Sequence, residues 1–118
     1  MLAKVVEGRK IGRTLGFPTA NLEFLNPDEI SDSGVYAVDV TLRDELFRGV
    51  LSVGNRPTFG ASEQVAEVHI LDFARDIYGE ILDITIRKFI RKERTFNTSE
   101  ALKKQIEQDR EDARHDND

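Results

Sequence analysis

Hydrophobic and polar positions alternate with a period of two along most of this chain, and the period changes only near its end. Val35–Arg43 shows this most plainly. Tyr36, Val38, Val40 and Leu42 alternate there with Ala37, Asp39 and Thr41, which predicts a strand with one buried face. Before it, Met1–Val6 reads as a short first strand, and Leu22–Ile30 as an apolar, irregular stretch with a turn at Asn26-Pro27-Asp28. Asp44-Glu45 predicts a hairpin turn from which Leu46–Gly54 returns, while Asn55–Glu63, with Pro57, Gly60 and Ser62, predicts a loop. Val65–Leu71 is the next strand, with Ala66, Val68 and Ile70 on one face and Val65, Glu67, His69 and Leu71 on the other. A turn at Asp76–Gly79 leads into Glu80–Ile90, a long strand with Leu82, Ile84 and Ile86 facing inward. Strands joined by Gly/Pro turns, with no helices between them, predict an antiparallel barrel or sandwich.

The last stretch is helical. Leu102, Ile106 and Ala113, with Ala101 nearby, recur at helical spacing behind Asn97-Thr98-Ser99-Glu100. That tetrapeptide has the form of a capping box with Asn97 as the cap. One amphipathic C-terminal helix is expected to pack on the barrel as a structural lid.

At 118 residues the chain holds one domain with one core. Hydrophobic residues at 39% and charged residues at 33% place it among globular proteins. No apolar run approaches a membrane span and no signal peptide precedes the first strand, so no membrane partner and a cytoplasmic location are expected. The absence of cysteine excludes disulfides, a thiol nucleophile and a thiolate metal site. A net charge of −5 argues against nucleic-acid binding. Acidic residues concentrate in 107–118, which reads as solvated surface, whereas Arg87, Lys88, Arg91, Lys92 and Arg94 cluster just before the helix. Because the first residues already read as strand, the domain is expected to continue upstream in a longer parent chain.

Candidate chemistry concentrates in Gly8–Asn21. Glycines at 8, 12 and 16 let backbone N–H groups approach an anion, and Arg9, Lys10 and Arg13 add positive charge around them. Thr19 and Asn21 would point to one side of an extended segment, as oxygen ligands of a hard cation must. By composition alone such a loop more often binds nothing. Glu67 sits in mid-strand among apolar neighbours, where a carboxylate needs partners or exposure. The pattern alone favours an exposed face, and the functional alternative is a general base in a cleft, a role His69 could take instead. Two histidines, His69 and His115, make a histidine metal site improbable. Arg91, Arg94 and Phe96 could grip a planar or anionic ligand, or simply form the loop before the helix with Phe96 as a hydrophobic staple.

The segment Gly12-Arg13-Thr14-Leu15-Gly16-Phe17-Pro18-Thr19-Ala20-Asn21 closely resembles the signature of riboflavin kinases, including the kinase module of bifunctional bacterial riboflavin kinase/FAD synthetases. The similarity extends through Gly34–Ala37, Val53–Gly60, Glu67–Ile70, Tyr78–Glu80 and Ile90–Phe96, in family order. The resemblance implies a mainly β, six-stranded antiparallel Greek-key barrel with a C-terminal helix. It implies transfer of the ATP γ-phosphoryl group to riboflavin, giving FMN and ADP. Thr19 and Asn21 would then hold Mg²⁺ (or Zn²⁺ or Mn²⁺) and phosphate oxygens, and Gly8 and Arg13 would line the phosphate loop. Ile70, Asp72 and Tyr78 fall where the family contacts ATP, Glu67 where it carries the catalytic base, and Arg91, Arg94 and Phe96 where it grips the flavin. The loops Gly8–Gly16 and Arg91–Phe96 would order on ligand binding.

Two features depart from the family pattern. Glu7 puts an acid beside the phosphate loop, and the nucleotidyltransferase module with its His-containing motif is not in this sequence. FMN rather than FAD is therefore the expected product, and an upstream FAD synthetase module is a candidate partner. The main alternative is a non-catalytic flavin- or nucleotide-binding barrel, separable by riboflavin-dependent ATP consumption. A barrel that binds proteins or single-stranded nucleic acid is a third, weakened by the acidic balance and sparse exposed aromatics.

Overall fold

A computed structural model describes residues 1–6, 19–26, 32–58, 61–73 and 75–115. Its strands are β1 (Leu2–Val6), β2 (Ala20–Phe24), β3 (Gly34–Leu42), β4 (Glu45–Thr58), β5 (Ala61–Ile70) and β6 (Ile81–Arg91), followed by helix α1 (Ser99–Arg114). Every neighbouring pair is antiparallel. The strands close into a barrel in the order β1-β2-β5-β4-β3-β6. β3, β4 and β5 follow one another as a meander, while β2 and β6 cross to its two edges and are joined by β1, a Greek-key arrangement.

The alternation explains the interior. Tyr36, Val38, Val40 and Leu42 of β3 point inward with Leu51 and Val53, Ala66, Val68 and Ile70, and Leu82 and Ile84. Ala3, Val5, Leu22 and Phe24 complete the packing. A six-stranded barrel is narrow enough to be filled by such side chains.

A second apolar cluster lies outside the barrel, where Val35, Ala37 and Val50 of β3 and β4 meet Leu71 and Ala113. β3 is therefore buried on both faces along half its length, and α1 supplies the cover. The C-terminal end of α1 is held by two arginines. Arg48 Nη1 donates to the Arg114 carbonyl at 2.9 Å, and Arg87 Nη2 donates to the Ala113 carbonyl. Arg87 Nε also lies 3.1 Å from Asp39 Oδ1. Cations at this end oppose the negative pole of the helix. Among the described residues no helix is long and apolar enough to cross a membrane.

Three expectations need correction. Within the region expected as a loop over Asn55–Glu63, the described residues 55–58 and 61–63 are strand instead, with β4 and β5 paired out to Thr58↔Ala61. Beyond Val53, β4 pairs only with β5 among the described residues, so Pro57 can stand in this ribbon where a missing N–H interrupts no described ladder on the far side. Within Leu22–Ile30, expected to be irregular, Leu22 and Phe24 alternate inward as part of β2, a regularity too short to read without its partners β1 and β5. The cap of α1 is Thr98 rather than Asn97. Thr98 has extended backbone angles, and its Oγ1 accepts from the Ala101 N–H at 3.1 Å.

Candidate active site

Strand register assembles the site. Asn21 of β2 stands opposite Glu67 of β5, Glu67 opposite Ser52 of β4, Ser52 opposite Val35 of β3, and Val35 opposite Arg91 of β6. Directly paired residues share a face, so these side chains form one row across the outside of the barrel. His69, two residues along β5 from Glu67, shares that face and pairs with Val50.

Over this row lies a cleft of about 220 Å³, floored by Val35, Val50, Ser52, Glu67 and His69, with Thr19 at its wall. Its roof is the segment after β6, through Glu93, Arg94 and Phe96, together with Leu102, Ile106 and Asp109 of α1. Glu67 is half-buried there, in mid-strand. The helix is thus a wall of the cleft as well as a cover for the barrel.

Arg91 enters this wall already partnered. Its Nε donates to Asp109 Oδ1 at 3.0 Å and its Nη2 to Asp109 Oδ2 at 2.8 Å, a bidentate pair. Asp109 is only 3% exposed, and Gln105 Nε2 donates to its Oδ1 at 3.0 Å. Arg94 Nη1 in turn donates to Gln105 Oε1 at 3.3 Å. Both guanidinium carbons lie near the Phe96 ring, at 5.0 Å for Arg94 and 5.7 Å for Arg91, within range of cation–π attraction. Glu93 rests against β4 where Gly54 has no side chain, since a Cβ there would come within 2.1 Å of Glu93 Oε1.

Thr19 Oγ1 is buried with no hydrogen-bond partner among the described residues. A hydroxyl in that state is costly unless a ligand satisfies it. With Asn21 in register with Glu67, neutral oxygen donors and a carboxylate share one face of the barrel, a donor set that suits a hard cation.

The structure therefore gathers Thr19, Glu67, Arg91, Arg94 and Phe96 around one cleft, with Asn21 in the same row as Glu67. It does not bring Ile70, Asp72 and Tyr78 to that cleft. The Ile70 side chain points into the barrel core. Asp72 follows β5 with φ 55° and accepts a 2.9 Å hydrogen bond from Arg114 Nη1 at the far end of α1. That hydrogen bond first, and the charge of Arg114 second, hold the Asp72 carboxyl below the usual carboxylate range. Tyr78 is exposed, with its N–H donating to Asp76 Oδ1 at 3.1 Å. Gly8 and Arg13, with the rest of the Gly8–Gly16 loop and Glu7, lie outside the described residues.

Sequence reasoning missed Asp109 and Gln105. The signal for Asp109 was present, because Leu102, Ile106, Asp109 and Ala113 are spaced four, three and four apart on one helical face. A carboxylate in an apolar stripe asks for a partner, and the partner, Arg91, lies on another element.

Comparison with known proteins identifies the family. The family model described as Flavokinase: Riboflavin kinase matches residues 1–116. The chain is 42% identical over 118 residues to the bifunctional riboflavin kinase/FMN adenylyltransferase of Haemophilus influenzae, covering 97% of this chain and 37% of that protein. It thus spans little more than a third of that relative's length. A solved structure named as a macrolide-efflux protein from Streptococcus pneumoniae superposes with a TM-score of 0.92 at 38% identity, covering 97% of this chain and 38% of that one. The riboflavin kinase of Trypanosoma brucei superposes with a TM-score of 0.65 at 25% identity, covering 96% of this chain and 75% of that one. With the family match running through the barrel, the cleft and the helix that walls it, this chain belongs to the riboflavin kinase (flavokinase) family.

Proposed function

We propose that this chain transfers the γ-phosphoryl group of ATP to the 5′-hydroxyl of riboflavin, giving FMN and ADP. The observation that carries this reading is Glu67, in the middle of β5, in register with Asn21 and inside a cleft also lined by Arg91, Arg94 and Phe96. Apolar side chains at Val35, Val50, Leu102 and Ile106 suit a flat ring system, and the ribityl chain would then run toward Glu67.

Phosphoryl transfer depends on positioning and charge neutralisation more than on covalent chemistry. The Glu67 carboxylate accepts the proton of the 5′-hydroxyl as its oxygen attacks the γ-phosphorus. The new O–P bond forms while the bond to the β,γ-bridging oxygen breaks, and ADP leaves with that electron pair. Thr19 and Asn21 would hold a divalent cation, Mg²⁺ in our reading with Zn²⁺ or Mn²⁺ as alternatives, which neutralises phosphate charge when bound. The Thr19 hydroxyl, without a hydrogen-bond partner among the described residues, supports this assignment. Gly8, Arg13, Ile70, Asp72 and Tyr78 are assigned to ATP by family resemblance alone. A cytoplasmic location and an FAD synthetase module in the parent chain belong to the same proposal.

The test is FMN formation from riboflavin and ATP with each cation, followed by separation of the fluorescent flavins. Riboflavin binding without FMN formation would favour a non-catalytic flavin-binding barrel instead.

A further inference from the structure

We propose that Asp109 is a positioning residue of the flavin site, which both orients Arg91 and cancels its charge, so that the cleft holds a neutral ring system without retaining its anionic phosphorylated product. The proposal rests on reading the cleft as the flavin site.

Stability alone is a weak reason for a carboxylate at this position. Asp109 is 3% exposed and lies between Ile106 and Ala113 on the stripe that packs against the barrel. Burying an ion pair carries a desolvation cost, and apolar replacements of such pairs are often neutral or stabilising. What the pair supplies is geometry. Two parallel hydrogen bonds, at 3.0 and 2.8 Å, fix the plane of a guanidinium that would otherwise rotate freely on a long side chain. A group held in its binding orientation loses less rotamer freedom when ligand arrives.

The pair also sets the charge that the ligand meets. Arg91 has five N–H groups. Two donate to Asp109 and one, from Nη1, to the Lys92 carbonyl at 3.1 Å. The remaining two can donate to a ring carbonyl from a unit whose net charge is zero. Among the described residues Arg94 has no such carboxylate, since its hydrogen bond goes to the neutral Gln105 amide. Of the two cations over Phe96, Arg91 is therefore neutralised and Arg94 is not.

The experiment measures dissociation constants of riboflavin and FMN by quenching of flavin fluorescence, for the whole chain and its variants. Asp109→Asn releases the Arg91 fork and leaves its charge uncompensated. Riboflavin should bind about 10-fold more weakly, the order expected for a hydrogen bond to a charged group. FMN should lose less, because its phosphate now meets an extra positive charge. The FMN-to-riboflavin ratio of dissociation constants should fall by a factor of several, and added salt should reduce that change. Arg91→Lys keeps the charge pair but loses the fork, so both flavins should weaken together with the ratio unchanged.

Wild-type-like dissociation constants in Asp109→Asn overturn the proposal, as does an equal loss for both flavins. If Asp109→Asn does not fold, Arg91→Lys decides: normal riboflavin binding overturns the proposal, and parallel weakening supports the positioning role. Failure of the wild-type chain to bind either flavin would instead remove the flavin-site reading on which the proposal stands.

Discussion

Replacing Glu67 by Gln removes one negative charge and one proton acceptor from the middle of β5 while preserving the size of the side chain. Its cross-strand neighbours are Asn21 and Ser52, both able to hydrogen-bond an amide, and the side chain faces the cleft rather than the barrel core. The fold should therefore tolerate the change, with stability altered by no more than about 1 kcal/mol. Turnover should not tolerate it. A positioned general base contributes ~10²–10⁴-fold, equivalent to about 3–5 kcal/mol in the activation barrier. The assay is the initial rate of FMN formation at saturating riboflavin and Mg·ATP, with riboflavin affinity and melting temperature measured on the same preparation. The expected outcome is a rate lower by ~10²–10⁴-fold with riboflavin affinity within about twofold of wild type. A near-normal rate would refute the assignment of Glu67 as base and make His69, on the same face and in the same cleft, the next residue to test. A parallel loss of rate and of riboflavin binding would mean that the cleft itself had collapsed.

Thr19→Ala and Asn21→Ala should weaken Mg·ATP far more than riboflavin in calorimetric titrations, because only the cation and phosphates need those oxygens; equal losses would point to general disruption of the site. The Asp72–Arg114 pair should make stability depend on acid. Because the folded carboxyl titrates below its unfolded value of about 3.9, its contribution is complete above that pH and disappears as pH falls through the lowered native value. Asp72→Asn should therefore lower the melting temperature near neutral pH, with the difference from wild type vanishing in strong acid. Thr98→Ala should cost about 1 kcal/mol in denaturant unfolding, while Asn97→Ala should stay within about 0.5 kcal/mol; the reverse order would return the cap to Asn97.

The strands that face the barrel interior were legible in the sequence because alternation in an antiparallel sheet is local. Tyr36, Val38, Val40 and Leu42 must share a face whatever surrounds them, and so must Ala66, Val68 and Ile70. The helix, too, was legible from Leu102, Ile106 and Ala113, whereas Thr19, Glu67, Arg91, Arg94 and Phe96, which the structure places around one cleft, each had an ordinary structural reading in the sequence alone. Resemblance to one family supplied their grouping before any geometry did. Where local signals compete, sequence reading went astray. Asn97 and Thr98 are both good caps, and only the path of the chain chooses between them. Turn-forming residues in Asn55–Glu63 suggested a loop, but mutual pairing carries β4 as far as Thr58 and starts β5 at Ala61.

Register and cover belonged to the tertiary structure alone. Nothing near Glu67 in the chain places it opposite Asn21 and Ser52; closure of the barrel does, because each strand's position is set by hydrogen bonds to its two neighbours. Equally, the pattern of β3 marks one buried face, yet Val35 and Ala37 on the other are buried as well, because α1 lies across them. The same packing turns Asp109 from a polar interruption in a helical stripe into the partner of Arg91. Periodicity along the chain determines which face a side chain takes; which groups meet it there depends on contacts between residues far apart in sequence, and those exist only once the barrel has closed.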